Sequence, residues 1–94
     1  MRESALVKKL MARLKAAGWW CVKIHGGPYQ RAGLPDIWAV KAGRLLCIEA
    51  KRPGERATKL QEHTLAELSA AGAIPAVVSS MDELENTLAE ALRL

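Results

Sequence analysis

The sequence has few aromatic residues and no long apolar run. It contains no Phe, and its four aromatic residues are Trp19, Trp20, Tyr29 and Trp38. The core must therefore consist mainly of Leu, Val, Ile and Ala. No apolar stretch approaches the ~18–20 residues that a membrane-spanning helix needs, and residues 1–15 are amphipathic, unlike the continuous apolar stretch of a signal peptide. We therefore expect an intracellular protein that does not enter a membrane.

Cysteine is also scarce. Cys21 and Cys47 lie on apolar segments without a C-x-x-C spacing or a neighbouring histidine pattern, which argues against a zinc site and favours buried thiols over a disulfide. The 94 residues suffice for one hydrophobic core but not for two. We therefore expect residues 1–94 to form a single domain.

Acidic residues are few in the first part of the chain. Residues 1–59 contain 13 of the 14 Lys and Arg but only four acids, a net charge of +9, whereas residues 60–94 carry a net charge of −5. A basic region of this strength is typical of a protein that binds a polyanion, with nucleic acid the first candidate. A solvated surface with uneven charge is the alternative.

Hydrophobic periodicity and turn signals predict an α/β fold in the order α-β-β-β-α-β-α. The predicted elements are a helix at 3–17, strands at 19–24, 36–40 and 44–50, a helix at 58–71, a strand at 73–79 and a last helix capped by Ser80. The short turn that ends in Gly43 suits a hairpin, so the second and third strands should pair antiparallel. A helix links the third strand to the fourth, which favours a mixed sheet with helices packed on its faces. Pro75 indicates that the fourth strand begins at a sheet edge or an irregularity.

The hairpin should bring two carboxylates together. Glu49 directly follows the apolar run 45–48, and Lys51 lies two residues further on, on the same strand face. Asp36 stands at the start of the neighbouring strand, which lies beside the end of the strand that carries Glu49. Two adjacent carboxylates repel each other unless a proton or a cation intervenes, and Mg²⁺ is held by one or two carboxylates with water and phosphate. The pair therefore predicts a divalent-cation site, whereas Glu49 and Lys51 alone could form a simple ion pair.

Two further polar residues lie on the inward faces of helices. Glu3 is seven residues before Leu10 and shares its apolar stripe, so it is aimed at a site or is an ordinary first-turn acid favoured by the helix dipole. Gln61 shares a face with Leu65, but it also completes a capping box that begins at Thr58. We expect its side chain to alternate if it serves both the site and the cap.

These residues resemble the PD-(D/E)xK motif of the restriction-endonuclease-like nucleases. The motif spans residues 33–36, with the letters G-L-P-D, and residues 48–51, with the letters I-E-A-K. The early helical Glu3 and the downstream Gln61 are similar to one branch in particular, the virus-type replication-repair nuclease (VRR-NUC) domain. The order of elements also resembles the restriction-endonuclease-like core of that family over nearly the whole chain.

The resemblance implies a role for each residue of the motif. Asp36 and Glu49, with the carbonyl of Ala50, would ligate Mg²⁺ or Mn²⁺. The cation would polarise the scissile phosphate and activate a water molecule. Lys51 would orient that water or stabilise the charge that builds in the transition state.

The resemblance also implies a substrate and an assembly. The protein would be a metal-dependent endonuclease of DNA repair, selective for branched DNA such as Holliday junctions, working as a homodimer and encoded by a bacterium, phage or prophage. Glu3 would act through water or a second metal, and Gln61 would position Lys51 or the nucleophile. A nuclease fold that binds nucleic acid without cutting it is the alternative.

The nucleic acid should contact the loops at the same sheet end. The candidates for backbone contacts are the basic residues on or beside those loops: Lys23, Arg31, Arg52, Arg56 and Lys59. Trp19 and Trp20 are adjacent in a strand and point to opposite faces, so one of them is a candidate for a dimer interface. Two ordinary core or rim tryptophans are the alternative.

Overall fold

The computed structural model describes residues 2–93 and has the predicted order of elements. The elements are α1 (Glu3–Ala16), β1 (Trp20–Lys23), β2 (Ile37–Lys41), β3 (Arg44–Ala50), α2 (Lys59–Ala70), β4 (Ile74–Val78) and α3 (Met81–Ala91). No described helix is long and apolar enough to cross a membrane.

The four strands form one mixed sheet in the order β1-β2-β3-β4. β1 pairs with β2 and β2 with β3 in antiparallel orientation, whereas β3 and β4 are parallel. Ala42 and Gly43 turn the β2–β3 hairpin with φ angles of 50° and 77°, and glycine reaches that region without steric cost. Pro75 lies in β4 at the edge of the sheet, where a missing backbone N–H is tolerated. The mixed sheet, the hairpin and the edge position are thus confirmed.

Different helices pack on the two faces of the sheet. The core face carries the side chains of Ile37, Ile48 and Ala50, which are fully buried against α1 and α3. Leu10 of α1 and Leu84 of α3 are also completely buried in this cluster. Because side chains alternate along a strand, the residues between these positions project to the second face. There α2 packs mainly against β4, at one side of the sheet.

Several boundaries differ by one or two residues from those predicted. The first helix ends at Ala16, since Ala17 is its C-cap and Gly18 follows with a φ of 87°. β1 begins at Trp20, because the N–H of Trp19 bonds to the carbonyl of Leu14 at 2.9 Å and so closes the helix end instead of joining the sheet. Helix and strand ends commonly vary by this amount.

Candidate active site

The β2–β3 register places Asp36 opposite Glu49. Ile37 is the partner of Ile48, so the next step along both strands pairs Asp36 with Glu49. Both lie on the second face, because they alternate with the core-facing isoleucines. Directly opposed residues of antiparallel strands have Cβ atoms about 4.5–5.5 Å apart. The backbone N–H of Ala50 donates to Oδ2 of Asp36 at 2.8 Å, which fixes this carboxylate against the end of β3.

Glu49 is a buried carboxyl group with one unpaired oxygen. Its exposure is 2%, and Oε1 accepts a hydrogen bond from Nε2 of Gln61 at 3.1 Å. Oε2 is buried and meets no donor among the described residues. Burial, followed by the charge of Asp36, raises the pKa of Glu49 from 4.5 to about 8, although the nearby charge of Lys51 opposes the shift. The fold thus holds a carboxyl group that lacks enough partners for its anionic form.

Gln61 serves the helix cap and the site at the same time. Its side-chain Oε1 accepts a hydrogen bond from the backbone N–H of Thr58 at 2.8 Å. The backbone N–H of Gln61 donates to Oγ1 of Thr58 at 3.1 Å, which completes the capping box. Its Nε2 simultaneously donates to Glu49. The expectation that the side chain must alternate is therefore wrong. A primary amide has an acceptor at one end and donors at the other, so one rotamer satisfies both.

Lys51 and Glu3 complete the group around Glu49. The backbone N–H of Lys51 bonds to the carbonyl of Val78 at 3.0 Å, so the chain still follows the sheet at this point. The charge of Glu3 also contributes to the raised pKa of Glu49, after burial and Asp36. Glu3 therefore lies within electrostatic range of the carboxylate pair from the start of α1. All five predicted residues meet at one end of the sheet.

The residues fit a hard divalent cation only if solvent or substrate completes its coordination. The part of the chain that the structure describes contains no group of three or more His, Cys, Asp or Glu arranged to hold a metal ion. It does contain the Asp36–Glu49 pair, with an oxygen of Glu49 that lacks any donor. Oxygen ligands and a small number of carboxylates, with water and phosphate filling the remaining positions, suit Mg²⁺.

The predicted nucleic-acid contacts divide into three kinds. Arg31 and Arg52 form exposed ion pairs with Glu67 and Glu55, both at 2.6 Å. Solvent-exposed pairs of this kind add little to stability, so they can open for a phosphate. The side chains of Arg56 and Lys59 are exposed. Lys23 is half-buried and in register with Ile37 on the core face. It therefore does not share a face with the carboxylates, although its contact with nucleic acid stays a prediction.

Gly33 has a packing role that the sequence motif did not reveal. Its φ is 83°, and a Cβ at this position would come within 2.8 Å of Cγ of Leu60. The turn before Asp36 thus lies directly against the first turn of α2, the turn that carries Gln61. The G-x-P-D motif marks this glycine, but only the packing against α2 explains it.

The two adjacent tryptophans differ sharply in exposure. Trp19 is 3% exposed and belongs to the core, whereas Trp20 is 68% exposed. Trp20 pairs with Val40, and Val22 pairs with Trp38, on the second face of β1 and β2. These four residues lie together on the second face and are here called the tryptophan face; Trp20, Val22 and Val40 are exposed, whereas Trp38 is half-buried.

Two solved structures are similar to this chain along nearly its whole length. The first, a VRR_NUC domain, is 21% identical and superposes with a TM-score of 0.80 over 93% of this chain and 94% of its own. The second, a VRR_NUC domain protein, is 19% identical and superposes with a TM-score of 0.82 over 99% of this chain and 89% of its own.

The chain has the VRR-NUC fold. The predicted α/β architecture, a mixed sheet flanked by helices in the order α-β-β-β-α-β-α, is confirmed. No protein-family model and no curated protein matches the sequence. At these identities the likeness is one of backbone architecture, so the chemistry of this VRR-NUC fold must be argued from its own residues.

Proposed function

We propose that the protein is a VRR-NUC family endonuclease that hydrolyses DNA phosphodiester bonds with Mg²⁺ or Mn²⁺, selectively on branched DNA such as Holliday junctions. One observation carries the proposal. Glu49 is buried beside Asp36 with an oxygen that no donor within residues 2–93 reaches. Two neighbouring carboxylates can both be ionised at little cost only when a cation joins them, and without one Glu49 keeps its proton up to a pKa of about 8. A bound divalent cation would take the place of that proton and allow both groups to be ionised.

Each residue of the site has a distinct task in the proposed reaction. A divalent cation held by Asp36 and Glu49, with the carbonyl of Ala50, would supply Lewis-acid activation of the phosphate and of a bound water. Gln61 fixes the carboxylate of Glu49 by hydrogen bonding, and the N–H of Ala50 fixes that of Asp36. These bonds hold both groups in place before substrate arrives, so little reorganisation is needed during the reaction.

Lys51 and Glu3 would act on the attacking water and on the scissile phosphate. The ammonium group of Lys51, within electrostatic range of Glu49, orients the attacking water or neutralises charge on the phosphate oxygens. Glu3, at the start of α1 and within electrostatic range of Glu49, acts on the water network or on a second cation. Both tasks are of the kind that lowers a barrier through fixed charges.

The charge distribution supports a nucleic acid as the substrate. Residues 1–59 carry a net charge of +9. This part of the chain contains every site residue except Gln61 of α2. Contacts with phosphate oxygens position a nucleic acid without reading its sequence. We therefore expect affinity that falls steeply as salt concentration rises.

A cleavage assay tests this proposal. A four-way junction, a flap, a nicked duplex, a continuous duplex and a single strand, together with RNA counterparts, are incubated with Mg²⁺, Mn²⁺ or EDTA. We expect metal-dependent cutting that is fastest on branched DNA. Asp36→Asn and Lys51→Ala should abolish cleavage. The first removes the charge of a metal ligand without changing the shape of the side chain, and the second removes the lysine ammonium group.

The controls separate cutting from binding. Both variants should still shift the junction in a binding assay, because the basic residues predicted to contact the nucleic-acid backbone (Lys23, Arg31, Arg52, Arg56 and Lys59) are unchanged. If the wild-type protein binds the junction but never cuts it, the protein is a non-cleaving binding module. If both variants cut as fast as the wild-type protein, the active site lies elsewhere.

The proposed assembly is a homodimer that buries the tryptophan face. Trp20 and the valines Val22 and Val40 are each more than a third exposed, and exposed clusters of this kind commonly mark protein interfaces. A two-fold pairing suits a small domain that acts on two strands of a junction. Light scattering should show a dimer for wild-type protein and for Leu92→Lys, an exposed apolar position at the C-cap of α3, but a monomer for Trp20→Lys. A monomeric wild-type protein would contradict the dimer without affecting the catalytic proposal.

A further inference from the structure

A cavity of about 240 Å³ lies beside the candidate active site, at the sheet end where β3 and β4 finish. Its walls come from three parts of the chain: Leu6 and Lys9 of α1, Arg52 and Pro53 after β3, and residues 79–81 before and at the start of α3. α1 and α3 both pack on the core face, so the cavity opens on the side of the sheet opposite the Asp36–Glu49 pair.

The cavity and the catalytic carboxylates share their neighbours. Arg52 directly follows Lys51 in the chain, and Leu6 is one helical turn beyond Glu3. Glu3 lies within electrostatic range of both Glu49 and Arg52, so it is close to the site and to one wall of the cavity. A strand bound at the site can therefore reach the cavity around the end of the sheet.

The lining favours a planar base over a phosphate group. Leu6, Pro53 and Met81 supply apolar walls, and the exposed cations Lys9 and Arg52 stand at the rim. Such a surface suits the apolar face of a base, while phosphates of the same strand meet the two cations.

The nearby helix N-terminus is not available to an anion. The backbone N–H of Glu83 already donates to Oγ of Ser80 at 3.2 Å, and the carboxylate of Glu83 accepts from the backbone N–H of Ser79 at 3.2 Å. Asp82 adds a second negative charge in the same turn. A phosphate at the start of α3 would be repelled by the carboxylates of Asp82 and Glu83. An uncharged ring would not be.

The short distance between Glu3 and the cavity determines which nucleotide could reach it. Leu6 and Lys9 are three and six residues beyond Glu3, which is about 4.5 and 9 Å along α1 at 1.5 Å per residue. Stacked nucleotides of one strand are spaced by about 3.4 Å. Measured from Glu3, the residues that line the cavity on α1 are therefore about one to three nucleotide steps away, so a base close to the scissile phosphate is the candidate occupant.

We propose that this cavity binds a nucleobase that has left the stack next to the scissile phosphate, so that the enzyme selects DNA in which a base near the cut is free to unstack. This inference rests on the proposed nuclease function and adds a reason for selectivity. A base at a branch point, a nick or a single-stranded end unstacks at low cost, whereas one inside a continuous duplex must first break its pair.

Fluorescence of 2-aminopurine tests the proposal without any cleavage. The fluorescent base is placed in turn at each of the four nucleotides on either side of the branch in a junction and of the nick in a duplex, and each DNA is bound by the Glu49→Gln protein, which should not cut. The emission of this base rises when it leaves the stack, and no aromatic side chain lines the cavity to quench it. We expect a rise at one position within about three nucleotides of the site that the wild-type protein cuts.

Variants of the cavity give the matched comparison. Ser79→Leu in the same background fills the cavity and should abolish the rise, with affinity for the junction weakened by roughly tenfold, the factor that 1.4 kcal/mol represents. Lys9→Ala should weaken binding, whereas Lys8→Ala, the neighbouring exposed lysine outside the cavity, should do so less. Melting temperatures identify any variant that fails to fold.

The outcomes distinguish this inference from the function on which it rests. If the Glu49→Gln protein binds the junction and no position shows a rise, the cavity does not hold a base. A rise that persists unchanged in Ser79→Leu overturns the proposal in the same way, since the unstacked base must then lie elsewhere. If the wild-type protein neither binds nor cuts DNA, the proposed function fails and this inference fails with it.

Discussion

Replacing Glu49 by glutamine should make the metal-free protein more stable at high pH. Glutamine keeps the shape of the side chain and an oxygen that can accept from Gln61, but it carries no charge at any pH. The wild-type carboxyl group is buried beside Asp36, and its pKa is raised from 4.5 to about 8, mainly by burial and then by the charge of Asp36. The substitution therefore removes the group whose ionisation opposes folding.

The sign follows from the protons that each state binds. Between pH 4.5 and about 8, the folded protein keeps the proton on Glu49 while the unfolded chain has released it. Since the unfolded state binds fewer protons, the free energy of unfolding decreases as the pH rises through this window.

The magnitude is large compared with the stability of a small domain. At 1.36 kcal/mol per pH unit, the loss over the window amounts to at most about 5 kcal/mol. A domain of 94 residues has a total stability of about 5–14 kcal/mol. Glu49→Gln should remove most of this pH dependence, so the variant should be clearly more stable than the wild-type protein at about pH 8.5 and similar to it at about pH 5.

Denaturant unfolding in EDTA at several pH values measures the effect. Each protein is unfolded in urea and followed by tryptophan fluorescence, and the slopes are compared so that only the midpoint is interpreted. Adding Mg²⁺ or Mn²⁺ at about pH 8.5 should stabilise the wild-type protein, because the cation binds only the folded site, and should leave the variant unchanged. Equal pH dependence in the two proteins would refute the assignment of the raised pKa to Glu49.

Three further substitutions test individual contacts. Gln61→Glu keeps an acceptor for the helix cap but cannot donate to Glu49. Cleavage and the stability at high pH should therefore fall, while α2 stays capped. Cleavage assays and unfolding at about pH 5 and about pH 8.5 show whether the two roles separate. Gly33→Ala should cost about 1–3 kcal/mol in urea unfolding, because its Cβ meets the first turn of α2 and its φ is positive; an unchanged midpoint would contradict this. Asp36→Ala should be about 1–3 kcal/mol less stable than Asp36→Asn, since only alanine leaves the N–H of Ala50 without its acceptor; equal midpoints would show that this bond contributes nothing.

The meeting of the two carboxylates could be predicted because a hairpin is a local structure. The short turn that ends in Gly43 fixes the register of β2 against β3, and that register determines which residue lies opposite Glu49. The same period of two also predicted that Trp19 and Trp20 would face opposite ways. The sequence could not say which of them is buried, because that depends on which face α1 and α3 cover.

The double role of Gln61 could not be predicted for a different reason. The capping box is visible in the sequence because it involves residues three positions apart. The contact with Glu49 depends on the angle at which α2 crosses the end of the sheet, which is set by tertiary packing around Gly33. The cavity beside the site is less visible still, because Leu6, Arg52 and Ser79 come from three separate segments that only the complete fold brings together.

Titration calorimetry with Mn²⁺ shows whether Asp36 and Glu49 together form a cation site. The wild-type protein should bind the ion saturably in the absence of DNA at about pH 8.5, where the raised pKa of Glu49 no longer keeps it protonated. Asp36→Asn and Glu49→Gln, which preserve the shape of the site, should each abolish the saturable heat. Binding that is the same in all three proteins, or is absent from the wild-type protein, would mean that this carboxylate pair does not hold a divalent cation.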